Sequence, residues 1–142
     1  MVITRARLDL ETLEGEGLRF RATNDAGRTI LLDSGKDAVA PNPMEVLLAA
    51  LGGCAGMDVI AILRKQRQQV TAYAIELIGQ RRDEHPRAYT AIEVVHRVTG
   101  RNLSAAAITE AIRLTDTKYC SVYATLAPGV ALTSRYELVE QA

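Results

Sequence analysis

From residue 44 to about residue 62 the chain is apolar at nearly every position, interrupted only by Glu45 and Asp58. A surface helix carries an apolar stripe with polar residues opposite, whereas a helix apolar all round is central and buried. The start of this segment is well marked. Asn42 is a good N-cap, Pro43 takes the first helical position, and Glu45 stands where a capping box places its carboxylate. The pattern predicts one long central helix. A chain of 142 residues has too little other material to bury it fully, so a second subunit is expected to complete the burial.

On either side the pattern alternates. Residues 2–10, 18–24 and 28–33 read as strands, and Asn24-Asp25-Ala26-Gly27 supplies turn chemistry between the second and third. In the second strand Leu18, Phe20 and Ala22 share one face, Arg19 and Arg21 the other. Residues 34–40 form a polar connection. Beyond the helix, residues 70–78 and 90–99 read as strands joined by the polar turn Arg82-Asp83-Glu84-His85-Pro86. Ser104 is expected to cap a helix over 105–114, and Thr117 a short helix that carries Cys120 and runs to 126. Pro128-Gly129 stops it, and residues 130–139 form a last strand. The order βββ-α-ββ-αα-β defines an α+β fold class. With no repeat and no linker, residues 1–142 read as a single domain.

Charge narrows the function classes. Lys+Arg and Asp+Glu both total 17, and a formal net charge of zero argues against nucleic acid as the main partner. Arg64, Lys65 and Arg67 read as the solvated end of the central helix. The N-terminus reaches Arg5 and Arg7 too soon for a signal-peptide core, and no uninterrupted run approaches the roughly 18 apolar residues of a membrane span. No membrane association and a cytoplasmic location are therefore expected. Structural disulfides are rare there, so the two cysteines read as core thiols or redox groups.

Cys54 lies in Leu51-Gly-Gly-Cys-Ala-Gly56. Each mid-helix glycine costs about 1 kcal/mol relative to alanine, which three glycines repeat unless packing compensates. They let another backbone come close or leave space beside the thiol. Taken alone, Cys54 is equally well a small core thiol. Cys120, three residues after Thr117, is placed in a helical first turn where backbone N–H groups favour a thiolate, so a lowered pKa is expected; packing is its alternative role. The spacing is not Cys-x-x-Cys, so any pairing must come from tertiary structure. Asp58 follows Cys54 by one turn on the same face. It can anchor an arginine, signal chemistry other than thiolate attack, or be satisfied across a dimer axis. His85 reads as a surface residue. His96 shares a strand face with Ile92, Val94 and Val98 and reads as a satisfied, partly buried histidine.

Two motifs, Pro41-Asn-Pro-Met-Glu-Val-Leu-Leu-Ala-Ala-Leu-Gly-Gly-Cys54 and Thr117-Lys-Tyr-Cys-Ser-Val122, resemble the signature of the OsmC/Ohr family of organic hydroperoxide resistance and osmotically induced proteins. The resemblance is nearest to its YhfA-like branch. It implies an OsmC-like fold: an intertwined homodimer whose long central helices are wrapped by antiparallel sheets from both subunits. It also implies that Cys54 attacks an organic hydroperoxide and becomes a sulfenic acid. Cys120 then resolves this to a disulfide, and a dithiol of lipoyl type reduces it. No metal, flavin or haem is required. In the family an arginine from an early strand, oriented by a glutamate at the start of the central helix, stabilises the thiolate. Here the residue after Pro43 is Met44, and Glu45 comes about 100° further round the helix. Glu45 and Arg19 are the candidates for those roles. Two other readings stay open: a redox-sensing or apolar-ligand-binding module without efficient turnover, and a structural dimer with inert thiols.

Overall fold

The computed structural model describes residues 1–142. The chain forms two compact units, Met1–Leu47 and Leu48–Ala142, and the division falls inside the long helix. In the first unit β1 (Ala6–Leu10), β2 (Phe20–Asn24) and β3 (Thr29–Leu32) make an antiparallel meander. Asn24 Oδ1 accepts from the N–H groups of Ala26 and Arg28, and Gly27 takes the left-handed conformation (φ 80°) that closes the turn. Strand register stacks Leu8, Ala22 and Ile30 in one row and Leu10, Phe20 and Leu32 in the next, all on one face. On that face Leu8 is 51% and Ile30 54% exposed.

The central helix α1 runs Pro43–Lys65. Its capping box closes both ways, Glu45 N–H donating to Asn42 Oδ1 at 2.9 Å and Asn42 N–H to Glu45 Oε1 at 3.0 Å. The helix outlasts its expected end because Arg67 (φ 57°) adopts the left-handed C-terminal position usually taken by glycine. There Gln68 N–H donates to Leu63 O and Arg67 N–H to Arg64 O, a Schellman closure. By length and hydropathy α1 meets the criteria for a membrane-spanning helix, as core helices also do.

In the second unit β4 (Gln69–Arg81) and β5 (Tyr89–Arg101) form a long antiparallel hairpin. The chain then passes through α2 (Ala105–Leu114), a π-helical turn (Thr115–Tyr119) and α3 (Ser121–Leu126), and returns as β6 (Ala131–Glu140). β6 lies parallel to β5, so this sheet is mixed, with β5 in the middle. The fold is α+β, with two sheets and a long central helix. Val59 and Leu63 of α1 pack with Val98, Ile108, Ala111 and Ile112 in the core. Further up the helix Gly52 faces β4 so closely that a Cβ there would lie 2.4 Å from Leu77 Cδ1.

His96 is fully buried on β5. Its Nδ1 lies 2.6 Å from the Tyr73 hydroxyl, while Nε2 is shut off from solvent without a hydrogen-bond partner. The histidine is thus more deeply buried than its alternation suggests and only half satisfied. Burial pushes its pKa down to about 4 and keeps the imidazole neutral. A depressed folded-state pKa favours the fold fully above the free histidine value of 6.5, and that contribution is lost as pH falls toward 4. Over that interval the loss is roughly 3 kcal/mol. Urea unfolding at a series of pH values should show it in the wild type and not in His96→Gln; parallel pH profiles for the two proteins would refute it. Packing gives a second expectation. A Cβ on Gly100 would meet the Gln69 carbonyl oxygen at 2.1 Å, so Gly100→Ala should cost about 1–3 kcal/mol in the same assay. Gly129→Ala, with open space around it, should change stability by less than about 0.5 kcal/mol.

Candidate active site

Cys54 and Asp58, one turn apart on α1, share a helix face and are both half-buried. Cys120 reaches the same place from the other side of the unit. The Sγ atoms of Cys54 and Cys120 and a carboxylate oxygen of Asp58 all lie within 4.8 Å of one another, and both cysteines are reduced. These three atoms are also the one cluster in the chain with the donor types and spacing to hold a metal ion.

The local structure that delivers Cys120 differs from the expected one. Thr117 caps nothing: its hydroxyl donates back to Arg113 O at 2.6 Å, as that of Thr115 does to Ala111 O at 2.8 Å. The chain widens here into a π turn, with Cys120 N–H donating to Thr115 O at 2.9 Å. Cys120 itself becomes the N-cap of α3, and its Sγ accepts from Tyr123 N–H at 3.3 Å. The expected lowering of its pKa is also overturned. Burial, reinforced by the hydrogen bond with Cys54 and the charge of Asp58, pushes the Cys120 thiol up to about 12. The Tyr123 N–H acts in the opposite direction but is outweighed. A six-residue helix start does not compensate for removing a thiolate from water. Cys120 is therefore a neutral thiol near neutral pH and a poor leaving group in exchange.

The other sequence candidates are engaged elsewhere. Glu45 is held by the Asn42 cap. Arg19 lies just before β2 with its Nε 3.3 Å from Glu11 Oε1, and Arg21 Nε donates to Glu11 Oε2 at 2.7 Å. The two guanidiniums, Arg21 first, hold the Glu11 carboxyl below its usual range. Arg19 and Glu45 are thus each paired, but not with one another. Nothing in the sequence marks this role for Glu11, which follows β1 and meets the arginines where the chain folds back, its N–H donating to Arg19 O at 2.8 Å. His85 is exposed in the β4–β5 turn. Asp58 makes no salt bridge, and its Oδ2 is shut off from solvent without a hydrogen-bond partner.

Comparison with known proteins places this geometry in context. The family profile described as OsmC-like protein matches residues 34–135, a span that contains both cysteines and Asp58. Protein YhfA of Escherichia coli K12 is 44% identical over 124 residues, covering 87% of this chain and 92% of that protein. A crystal structure of a hypothetical protein from Aquifex aeolicus is 32% identical over the whole of both chains, with a TM-score of 0.84. An organic hydroperoxide resistance protein OsmC from Legionella pneumophila, also described as a predicted redox protein, shares the fold at a TM-score of 0.64. It is 11% identical, covering 96% of this chain and 98% of that one. On the family profile, the YhfA likeness and the shared fold together, this chain belongs to the OsmC-like family.

Proposed function

We propose that the chain is a two-cysteine thiol peroxidase acting on organic hydroperoxides. The observation that carries this reading is the approach of two reduced thiols to within 4.8 Å inside one compact unit. A disulfide would bring the two sulfurs to about 2.05 Å, with the hydroperoxide as the two-electron oxidant. Structural relatives of this fold are described as organic hydroperoxide resistance proteins, among them one from Bacillus subtilis with a TM-score of 0.62 and 13% identity.

The reaction divides into three balanced steps. The Cys54 thiolate attacks one oxygen of the O–O bond, giving a Cys54 sulfenic acid and, after protonation, an alcohol. The Cys120 thiol then attacks the sulfenic sulfur, forming the Cys54–Cys120 disulfide and releasing water. A small dithiol, of lipoyl type by family resemblance, returns both cysteines to thiols and is itself oxidised to a disulfide. The Cys54 step needs a cation or hydrogen-bond donor for the thiolate, and Asp58 supplies the opposite charge. This favours a second reading in which the same thiol pair senses oxidation slowly, or the site binds an apolar ligand. Stopped-flow mixing with cumene hydroperoxide separates the two. Peroxidase function predicts thiol loss at least about a hundred-fold faster than free cysteine under the same conditions, abolished in Cys54→Ser, with Cys120→Ser leaving a dimedone-trappable sulfenic acid. Rates no faster than free cysteine would leave the sensing reading standing.

The working form is proposed to be a homodimer. Ala50, Gly53, Met57 and Ala61 lie on one stripe of α1, and Met57 is 73% exposed. A Cβ on Gly53 would meet nothing within 4 Å, which leaves room for a second helix. The apolar face of the β1–β3 sheet requires cover in the same way. Sedimentation should give a dimer for the wild type and a shift toward monomer for Met57→Glu. A monomeric wild type would contradict this assembly.

A further inference from the structure

The geometry points to a second use of the same cluster: we propose that Cys54, Asp58 and Cys120 form a site for a thiophilic divalent cation, zinc above all. The reduced protein would hold the ion and the disulfide would exclude it. Cys54 and Asp58 stand at i and i+4 on α1, the spacing at which two helical side chains converge on one ion. Cys120 comes from a different element and is fixed twice, through its N–H to Thr115 O and through Tyr123 N–H to its own sulfur. The second bond is a backbone contact of the kind that orients a metal ligand.

The distances suit the ion. A tetrahedral zinc with Zn–S of about 2.3 Å and Zn–O of about 2.0–2.2 Å separates its donor atoms by roughly 3.4–3.8 Å. The three atoms here lie within 4.8 Å, so side-chain adjustments of about 1 Å suffice. Asp58 is the residue that otherwise lacks an explanation. Its Oδ2 is sequestered and makes no hydrogen bond, and no Arg, Lys or His forms an ion pair with it. In a peroxidase an aspartate facing the reactive thiol is a liability; around a dication it is a third ligand. Two sulfurs with one oxygen select zinc over magnesium or calcium, and three protein ligands leave a fourth position open.

The binding step is a proton exchange: the ion displaces one proton from each thiol and takes the carboxylate as it stands, with no change of oxidation state. Oxidation of the pair by a hydroperoxide takes two electrons from the two thiolates. The peroxide, with two protons, becomes alcohol and water, the sulfurs join, and the ion is released. The site uses the thiols of the peroxidase reading but does not depend on turnover.

The test uses the full-length reduced protein, anaerobically and without peroxide, titrated with Co2+ as a spectroscopic probe and then with Zn2+. One Co2+ should bind per chain, giving a thiolate-to-cobalt charge-transfer band in the near ultraviolet and strong visible bands of a four-coordinate ion; Zn2+ should bleach both. The diamide-oxidised protein should give neither band. Asp58→Asn, checked for folding by circular dichroism and for two free thiols, should bind Co2+ roughly ten-fold or more weakly. Absence of the charge-transfer band in reduced wild type would overturn the proposal, as would an Asp58→Asn affinity equal to wild type or a stoichiometry of one ion per two chains. Because no peroxide is present, a protein that binds cobalt yet reacts slowly with cumene hydroperoxide would refute the peroxidase and keep the metal site. The opposite outcome would do the reverse.

Discussion

The packing of Val59 and Leu63 of α1 against Val98 of β5 and Ile108, Ala111 and Ile112 of α2 is the interaction on which the Leu48–Ala142 unit depends. Nearer the start of the helix, a Cβ at position 52 would meet Leu77 Cδ1, the tip of a flexible side chain that would have to turn aside. Val59 and Leu63 follow Gly52 by about two and three turns. Burial of Val59 and Leu63 fixes which face of α1 turns inward, and so where Cys54 and Asp58 point. At Gly53 nothing in the chain uses the space, which is why that position belongs to the proposed subunit contact.

Once the helix is fixed, the chemistry is governed by crowding. Two thiols and a carboxylate lie within 4.8 Å of one another, Cys120 buried and Cys54 and Asp58 half-buried. Burial first, and then the neighbouring Cys54 and Asp58, raise the Cys120 thiol. The same donor set therefore has three ways to relieve its repulsion: it can stay protonated, convert two thiols to a neutral disulfide, or take up a cation. Exchange among these states is what the proposed peroxidase and metal-binding readings have in common.

The capped helix, the strand order and the later helices were legible because each rests on local chemistry, in residues such as Asn42, Pro43, Glu45 and Ser104. The helix end was not, because Arg67 takes a left-handed conformation that glycine normally signals. The π turn was illegible for a related reason. Thr117 looks like an N-cap in sequence, yet its hydroxyl bonds backward to Arg113, and the cap passes to Cys120. The expected direction of the Cys120 pKa shift then reversed, since it was argued from helix position when burial decides it. The parallel pairing of β6 depends on where the α2–α3 crossover returns the chain, which no strand pattern encodes. Likewise Arg19 and Arg21 were visible as strand residues, while their shared partner Glu11 emerged only with the register of β1 and β2.

Both proposed uses of the site depend on Cys54 and Cys120 meeting within one chain. Peptide mapping under non-reducing conditions, after one equivalent of diamide per chain, tests it most directly. A single dominant species is expected, in which the peptides carrying Cys54 and Cys120 are joined within one chain, with no covalent dimer. Two unmodified thiols, or disulfides that link separate chains, would contradict it.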